Sequence, residues 1–339
     1  MRSTTTCFGA AAAIALCVSA CCRPGSAQRP YTPDELGAEE HAQLTRAGAG
    51  YSSVVVPPFV VIGNGPVSVV RDDAAQTVAW AVKLLKRDYF PRDPGAIITI
   101  WAFRDEGSYR SGISAMFNGL LSPDTPYGYY SPCERAIITN VGNGYGTLVH
   151  EMVHAFMDAN FANAPVWLNE GLASLYEQPS CAPDPGAPPD PPPPSAVHTT
   201  DGRLADLSLS HEKSAELSPE DLAQLACARH GHIHGGLNWR LPTLQEELRR
   251  GTAPSFERIG DAGRSAFSGK ESGSLYAASR YLLYWLQEKG VLVRYFQAFR
   301  ARRADDSTGM RILSECLGRP LPELRHEWEA YVSGLTLAR

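Results

Sequence analysis

The pentapeptide HEMVH at positions 150–154 and the phrase WLNEGLASLYE at 167–177 bring together residue types that can hold a metal ion and work on water. Histidines four residues apart on a helix differ by only about 40° in azimuth and about 6 Å in rise, so His150 and His154 can face one ion. Neutral imidazole nitrogens suit zinc, which at catalytic centres takes three protein ligands and leaves a further position for water. Glu170 is the candidate third ligand. It follows His154 after fifteen intervening residues and lies near the start of a second apolar segment. Glu151, on the flank of the same helix as the histidines, is placed to act as general base on a zinc-activated water and to pass the proton to a leaving amine.

The elements that must position these groups are legible around them. Leu148, Val149, Met152, Val153, Phe156 and Met157 give the first helix an apolar face. An imidazole pair and a carboxylate on such a helix are expensive to bury without partners. Trp167, Leu168, Leu172 and Leu175 mark a second apolar helix, and a helix, loop and helix of this length can fold back on itself. Two satisfied core histidines beside an exposed acid form the alternative reading. Asn169 reads as a helix-start residue or as a group in the shell around the ligands.

The run HEMVHAFMDANFANAPVWLNEGLASLYE resembles the gluzincin zinc peptidases, in particular the bacterial peptidase MA-like group, and its second half is similar to the aminopeptidase-N signature. The resemblance is strongest over 127–177, with weaker pieces at 238–248 and 275–290. It implies one Zn²⁺ on His150, His154 and Glu170, Glu151 as catalytic base, and hydrolysis of peptide bonds in a peptide or protein substrate. It also implies an α+β, thermolysin-like catalytic domain in which a small mixed sheet precedes the metal helix pair and a helical lobe follows. By the same likeness Ala136–Asn140 is the edge strand that binds substrate, or else an ordinary paired strand. Tyr276, opening the apolar helix LYAASRYLLYWLQ, is the expected oxyanion donor, with His234 as substitute. The short spacing between His154 and Glu170 and the lack of a GAMEN-type motif point away from aminopeptidase specificity and toward an endopeptidase. Thermolysin-like enzymes carry an Asp four residues beyond the third ligand; here that position is Ser174.

Length and composition bound the rest. A chain of 339 residues that is 44% hydrophobic can bury a large core, and a formal net charge of −5 gives no basic footprint for nucleic acid. Met1 and Arg2 followed by an apolar run from Cys7 to Ala20 read as an export signal. Either Cys21 is lipidated, giving a membrane contact through that anchor alone, or cleavage after Ala27 releases the protein. The expected divisions are the signal region 1–27, a tether 28–50, a sheet and metal-helix lobe 51–178, a proline-rich insertion 179–218 and a helical lobe 219–339. Within the insertion, 180–194 holds eight prolines.

Along the lobes, 51–63 and 96–103 read as strands, Asp72 and Asp73 as the cap of a helix, and 127–130 with 135–141 as a strand pair. Helices are expected near 107–116, 219–227, 241–250, 275–289, 291–302 and 321–334. Of the body cysteines Cys133, Cys181, Cys227 and Cys316, the second and third bracket the insertion and are the expected bridge. His230, His232 and His234 form a candidate second metal cluster or, more simply, solvent-facing loop histidines. A surface lipoprotein that uses this scaffold only to bind, and a zinc hydrolase of cell-wall amides, are the alternatives to a peptidase.

Overall fold

The computed structural model describes residues 29–116, 127–182 and 231–337. The signal region with Cys21 and Ala27, most of the proline-rich insertion, the helix expected at 219–227, Cys227 and His230 lie outside the described residues. The architecture is mixed α/β with a small mixed sheet, compatible with the α+β class.

After α1 (Pro33–Ala47), strands β1 (Ser52–Val56) and β2 (Phe59–Gly63) form an antiparallel hairpin turned by Pro57 and Pro58. A helical stretch follows as α2 (Val67–Asp73), a π-helical turn (Ala74–Ala79) and α3 (Trp80–Asp88). It begins six residues before the expected cap, because Pro66 supplies the N-cap with its restricted backbone and Val67 to Val70 continue the apolar face. Asp73 therefore lies inside the helix, where its Oδ1 accepts from the Tyr145 hydroxyl at 2.5 Å. Then come β3 (Ile98–Phe103), α4 (Glu106–Met116), β4 (Gly128–Ser131) and β5 (Ala136–Asn140).

The sheet order is β1-β2-β3-β5-β4, parallel for β2 with β3 and for β3 with β5, antiparallel at both ends. Strand periodicity assigns the two faces. Val60, Ile62, Trp101, Phe103 and Ile138 pack on one side with Tyr109 and Ile113 of α4. Phe59, Val61, Ile98, Ile100 and Ile137 face the other way and join the main core. Ala136–Asn140 is thus an interior strand, buried at all five residues, and the sheet's edges are β1 and, next to this strand, β4.

Helix α5 (Gly146–Asn160), which carries the HEMVH segment, and α6 (Val166–Leu175) follow, then β6 (Pro179–Ala182), which pairs antiparallel with β7 (His232–Gly235). The C-terminal part comprises α7 (Leu241–Arg250), α8 (Phe256–Asp261), α9 (Arg264–Phe267), α10 (Ser272–Glu288), α11 (Leu292–Ala301), α12 (Met310–Leu317) and α13 (Leu321–Gly334). Four of these were expected, and α8, α9 and α12 are short additions. Helices α6 and α10 approach closely at Gly171, where a Cβ would lie 3.1 Å from both Ser279 Cβ and Leu283 Cδ1. Trp285 and Trp328 are buried, and one apolar cluster runs from the sheet through α5 and α6 into α10, α11 and α13. Among the described residues no helix is long and apolar enough to cross a membrane.

Cys181 on β6 is disulfide-bonded, which agrees with one end of the expected bridge; Cys227, the other end, is outside the described residues.

Candidate metal centre

Helix α5 is buried almost throughout, and its apolar residues wedge it between the sheet and α6. This leaves His150, Glu151 and His154 enclosed, with 7%, 2% and 9% of their surfaces exposed. Helix α6 starts at Pro165, whose extended backbone turns the chain back, and Trp167, Leu168 and Leu172 anchor it with no exposure. Glu170 is thereby turned toward the two imidazoles.

Glu170 Oε2 lies 3.8 Å from His150 Nε2 and 3.6 Å from His154 Nε2. One ligand atom from each of the three residues falls within 4.8 Å of the others, and this is the one such cluster among the described residues that could hold a metal ion. Tetrahedral ligands at zinc distances of about 2.0–2.1 Å sit about 3.3 Å apart, so the three donors stand slightly wider than a bound ion would draw them. Both Glu170 separations are below 4 Å, whereas the cluster as a whole spans up to 4.8 Å. Glu170 Oε2 is buried and has no hydrogen-bond partner. A carboxylate oxygen in that condition is costly unless a cation meets it, and two imidazoles with a carboxylate form a donor set suited to a divalent metal. The residues fit the group that the motif implies.

The distal ring nitrogens are held. His154 Nδ1 donates to Asn169 Oδ1 at 2.9 Å, so Asn169 is a partner of a candidate ligand and not only a helix-start residue. His150 Nδ1 lies 3.4 Å from Glu177 Oε1. Ser174 does not take that role: its Oγ is buried without a hydrogen-bond partner. Burial opposes protonation of His150, yet the hydrogen bond with Glu177 and the charges of Glu151, Glu177 and Glu170 outweigh it and raise its pKa to about 9. Burial would push Glu177 up, but His150 and the Arg240 guanidinium hold it at about 2.

Glu151 is raised above the usual carboxylate range by burial, against the pull of His150 and His154 and of a backbone hydrogen bond. That bond comes from Tyr130 N–H on β4, at 2.9 Å to Oε2. Glu151 therefore stands between the ligand helix and the sheet edge.

Tyr276 lies in the second turn of α10, which starts four residues earlier at Ser272. Its ring packs edge-on to Phe267 with centroids 5.2 Å apart, and its hydroxyl faces Glu170. Burial, then the charge of the neighbouring Glu170, lift its pKa far above that of a free tyrosine, so it stays a proton donor. The substitute donor His234 is engaged elsewhere, with Nε2 2.9 Å from Glu288 Oε1. His232 Nδ1 lies 2.7 Å from Asp88 Oδ1. The two histidines thus have separate carboxylate partners and form no metal cluster among the described residues.

Sequence reasoning missed Glu177, Arg240 and Arg280. Arg280, fully buried on α10, donates from Nε to the Ser174 carbonyl at 2.9 Å and also reaches the Gly236 carbonyl. It thereby sets positive charge against the C-terminal end of α6, where the helix dipole favours a cation. No family model matches the chain, and no curated protein matches it.

Proposed function

We propose that this chain is a zinc-dependent hydrolase of peptide bonds, an endopeptidase on a gluzincin-like α+β scaffold that works outside the cytoplasm. The observation that carries the reading is the orphaned Glu170 Oε2, buried and turned toward both His150 and His154 at 3.8 and 3.6 Å. Zinc bound by these three residues supplies a Lewis acid and lowers the pKa of its water toward neutrality.

The chain's own groups do the remaining work. Glu151, buried and raised in pKa, accepts a proton from the attacking water and hands it to the leaving amine. Tyr276 keeps its proton and can donate to the oxygen on which negative charge develops. Strand β4 is a sheet edge, and its Tyr130 N–H is taken up by Glu151 instead of by a further strand. An extended substrate can add to that edge beside the base. The disulfide at Cys181 favours an oxidising compartment, in accord with the apolar, export-like run at the start of the sequence.

The test is to measure zinc in the purified chain and to profile cleavage of a peptide library by wild type and Glu151→Gln. One zinc per chain is expected in both. The variant should lose about 10²–10⁴-fold in turnover, the usual contribution of a positioned acid or base. Hydrolysis by Glu151→Gln at the wild-type rate would refute the mechanism, and zinc binding without cleavage of any peptide would leave a binding protein.

A further inference from the structure

Glu177 is a half-buried carboxylate for which the reaction just described has no use. It lies just past the end of α6, and its Oε1 is 3.4 Å from His150 Nδ1, on the side of the ring away from Glu170. Three donors from the C-terminal part of the chain converge on it. Arg240 brings Nη2 to 2.8 Å from Oε1 and Nε to 3.4 Å from Oε2, while Asn238 Nδ2 donates to Oε2 at 3.0 Å. Asn238 is itself fixed, its N–H donating to the Tyr281 hydroxyl at 3.1 Å. The main chain of Glu177 is pinned as well. A Cβ on Gly146 would collide with the Glu177 carbonyl oxygen, so the first turn of the metal helix meets this residue with room for hydrogen only.

We infer that Glu177 is the positioning residue for His150 and that Arg240 holds it there, so that affinity for the metal is governed by a residue pair outside the ligand set. The role rests on the metal-centre reading above. An imidazole offers its Nε2 lone pair only when the proton is on Nδ1. An acceptor at Nδ1 therefore selects the tautomer, stops the ring from rotating, and, being anionic, makes the ligand nitrogen more basic. A lone carboxylate could swing away. A guanidinium with two donors matches the carboxylate plane and removes that freedom.

The competing explanation is that Glu177 and Arg240 merely bolt the end of α6 to the start of α7. A bolt changes how stable the fold is, but not how tightly the folded protein holds zinc. The two are separated by competition of the full chain with a chromophoric chelator for Zn²⁺, and by visible spectra of the Co²⁺ form. The variants are Glu177→Gln, Glu177→Ala, Arg240→Ala and the Glu177→Ala, Arg240→Ala double, with thermal melts of the metal-free proteins to verify folding.

Glu177→Ala should bind Zn²⁺ 10- to 100-fold more weakly, with altered Co²⁺ bands. Glu177→Gln should lose less, since its amide oxygen still accepts the Nδ1 proton. Arg240→Ala should lose about tenfold in the wild-type background and less than about twofold when Glu177 is already Ala, because it acts through that carboxylate. The Arg240 guanidinium also lies 5.3 Å from the Tyr276 ring centroid. An effect routed through Tyr276 would persist in the double variant and would overturn the inference. So would folded Glu177→Ala with Zn²⁺ affinity within about twofold of wild type. Should Glu177→Ala not fold, wild-type affinity in both Glu177→Gln and Arg240→Ala overturns it. Wild type that binds no Zn²⁺ overturns this inference and the metal-centre reading together.

Discussion

Replacing Glu170 by Gln tests the metal centre through stability, without any need for a substrate. Zinc held by the folded cluster and not by the unfolded chain would stabilise the fold by RT ln(1 + [L]/Kd), about 2.7 kcal/mol when free zinc is 100 times Kd. A folded body of 150–250 residues gains about 2–4 °C in Tm for each kcal/mol. The wild type should therefore melt about 5–11 °C higher in buffered zinc than in excess chelator. In Glu170→Gln the amide keeps the shape of the side chain but removes the anionic donor that faces both imidazoles at 3.6 and 3.8 Å. Two imidazoles then remain, and at the same free zinc the shift should shrink to within about 1 °C, since a thousandfold weaker site is essentially empty. The assay is differential scanning calorimetry of both proteins, each with chelator and with buffered zinc. An upward shift of equal size in the variant would mean that zinc stabilises through some other site, and Glu170 would no longer be a ligand.

Three further outcomes follow from the same geometry. His150, raised to about 9 in the fold against an ordinary value of 6.5, stabilises the metal-free protein fully below about pH 6.5, and that contribution is lost as pH rises through 9. Zinc needs the ring unprotonated, so its affinity should move the opposite way and rise by up to about tenfold per pH unit until pH 9; affinity independent of pH from 6.5 to 9 would contradict this. Tyr276→Phe should lower turnover about 100-fold while leaving bound zinc and the melting temperature nearly unchanged, and normal turnover in steady-state assays would remove Tyr276 from the reaction. In a non-reducing peptide map, Cys181 should appear joined to the peptide that carries Cys227; a bridge to any other cysteine would rule out the pairing that closes the proline-rich excursion.

What was legible in the sequence is what depends on short-range periodicity. His150, Glu151 and His154 share one turn of α5, and Glu170 follows from the apolar rhythm of α6, so both helices and the three-donor cluster could be read before the fold was known. The order of strands could not be read from adjacency. The turn at 132–135 folds β4 back outside β5, which makes the strand next to α5 in sequence an interior one. A signal did exist. AIITN is a nearly continuous apolar run, the pattern of a strand covered on both faces, whereas GYYS leaves its two tyrosines half-buried, as an edge strand would.

The distal partner of His150 needed both kinds of information. Positions 170, 174 and 177 recur at helical spacing, so a residue that orients a ligand could have been sought at either of the last two. Ser174 is the nearer in sequence, but its hydroxyl is buried without a partner and does not reach the ring. Glu177 has the longer side chain and a carbonyl seated against Gly146, four residues before His150. What keeps its charge tolerable in the interior is Arg240, which stands 63 residues further along and comes alongside where the β6 and β7 pairing returns the chain to α6. A carboxylate at 177 without that guanidinium would be a half-buried anion facing one imidazole, with only the Asn238 amide left to meet it. The helix pair alone therefore specifies the candidate ligands and, through Asn169, the setting of His154, while the setting of His150 also depends on the C-terminal part of the chain being docked.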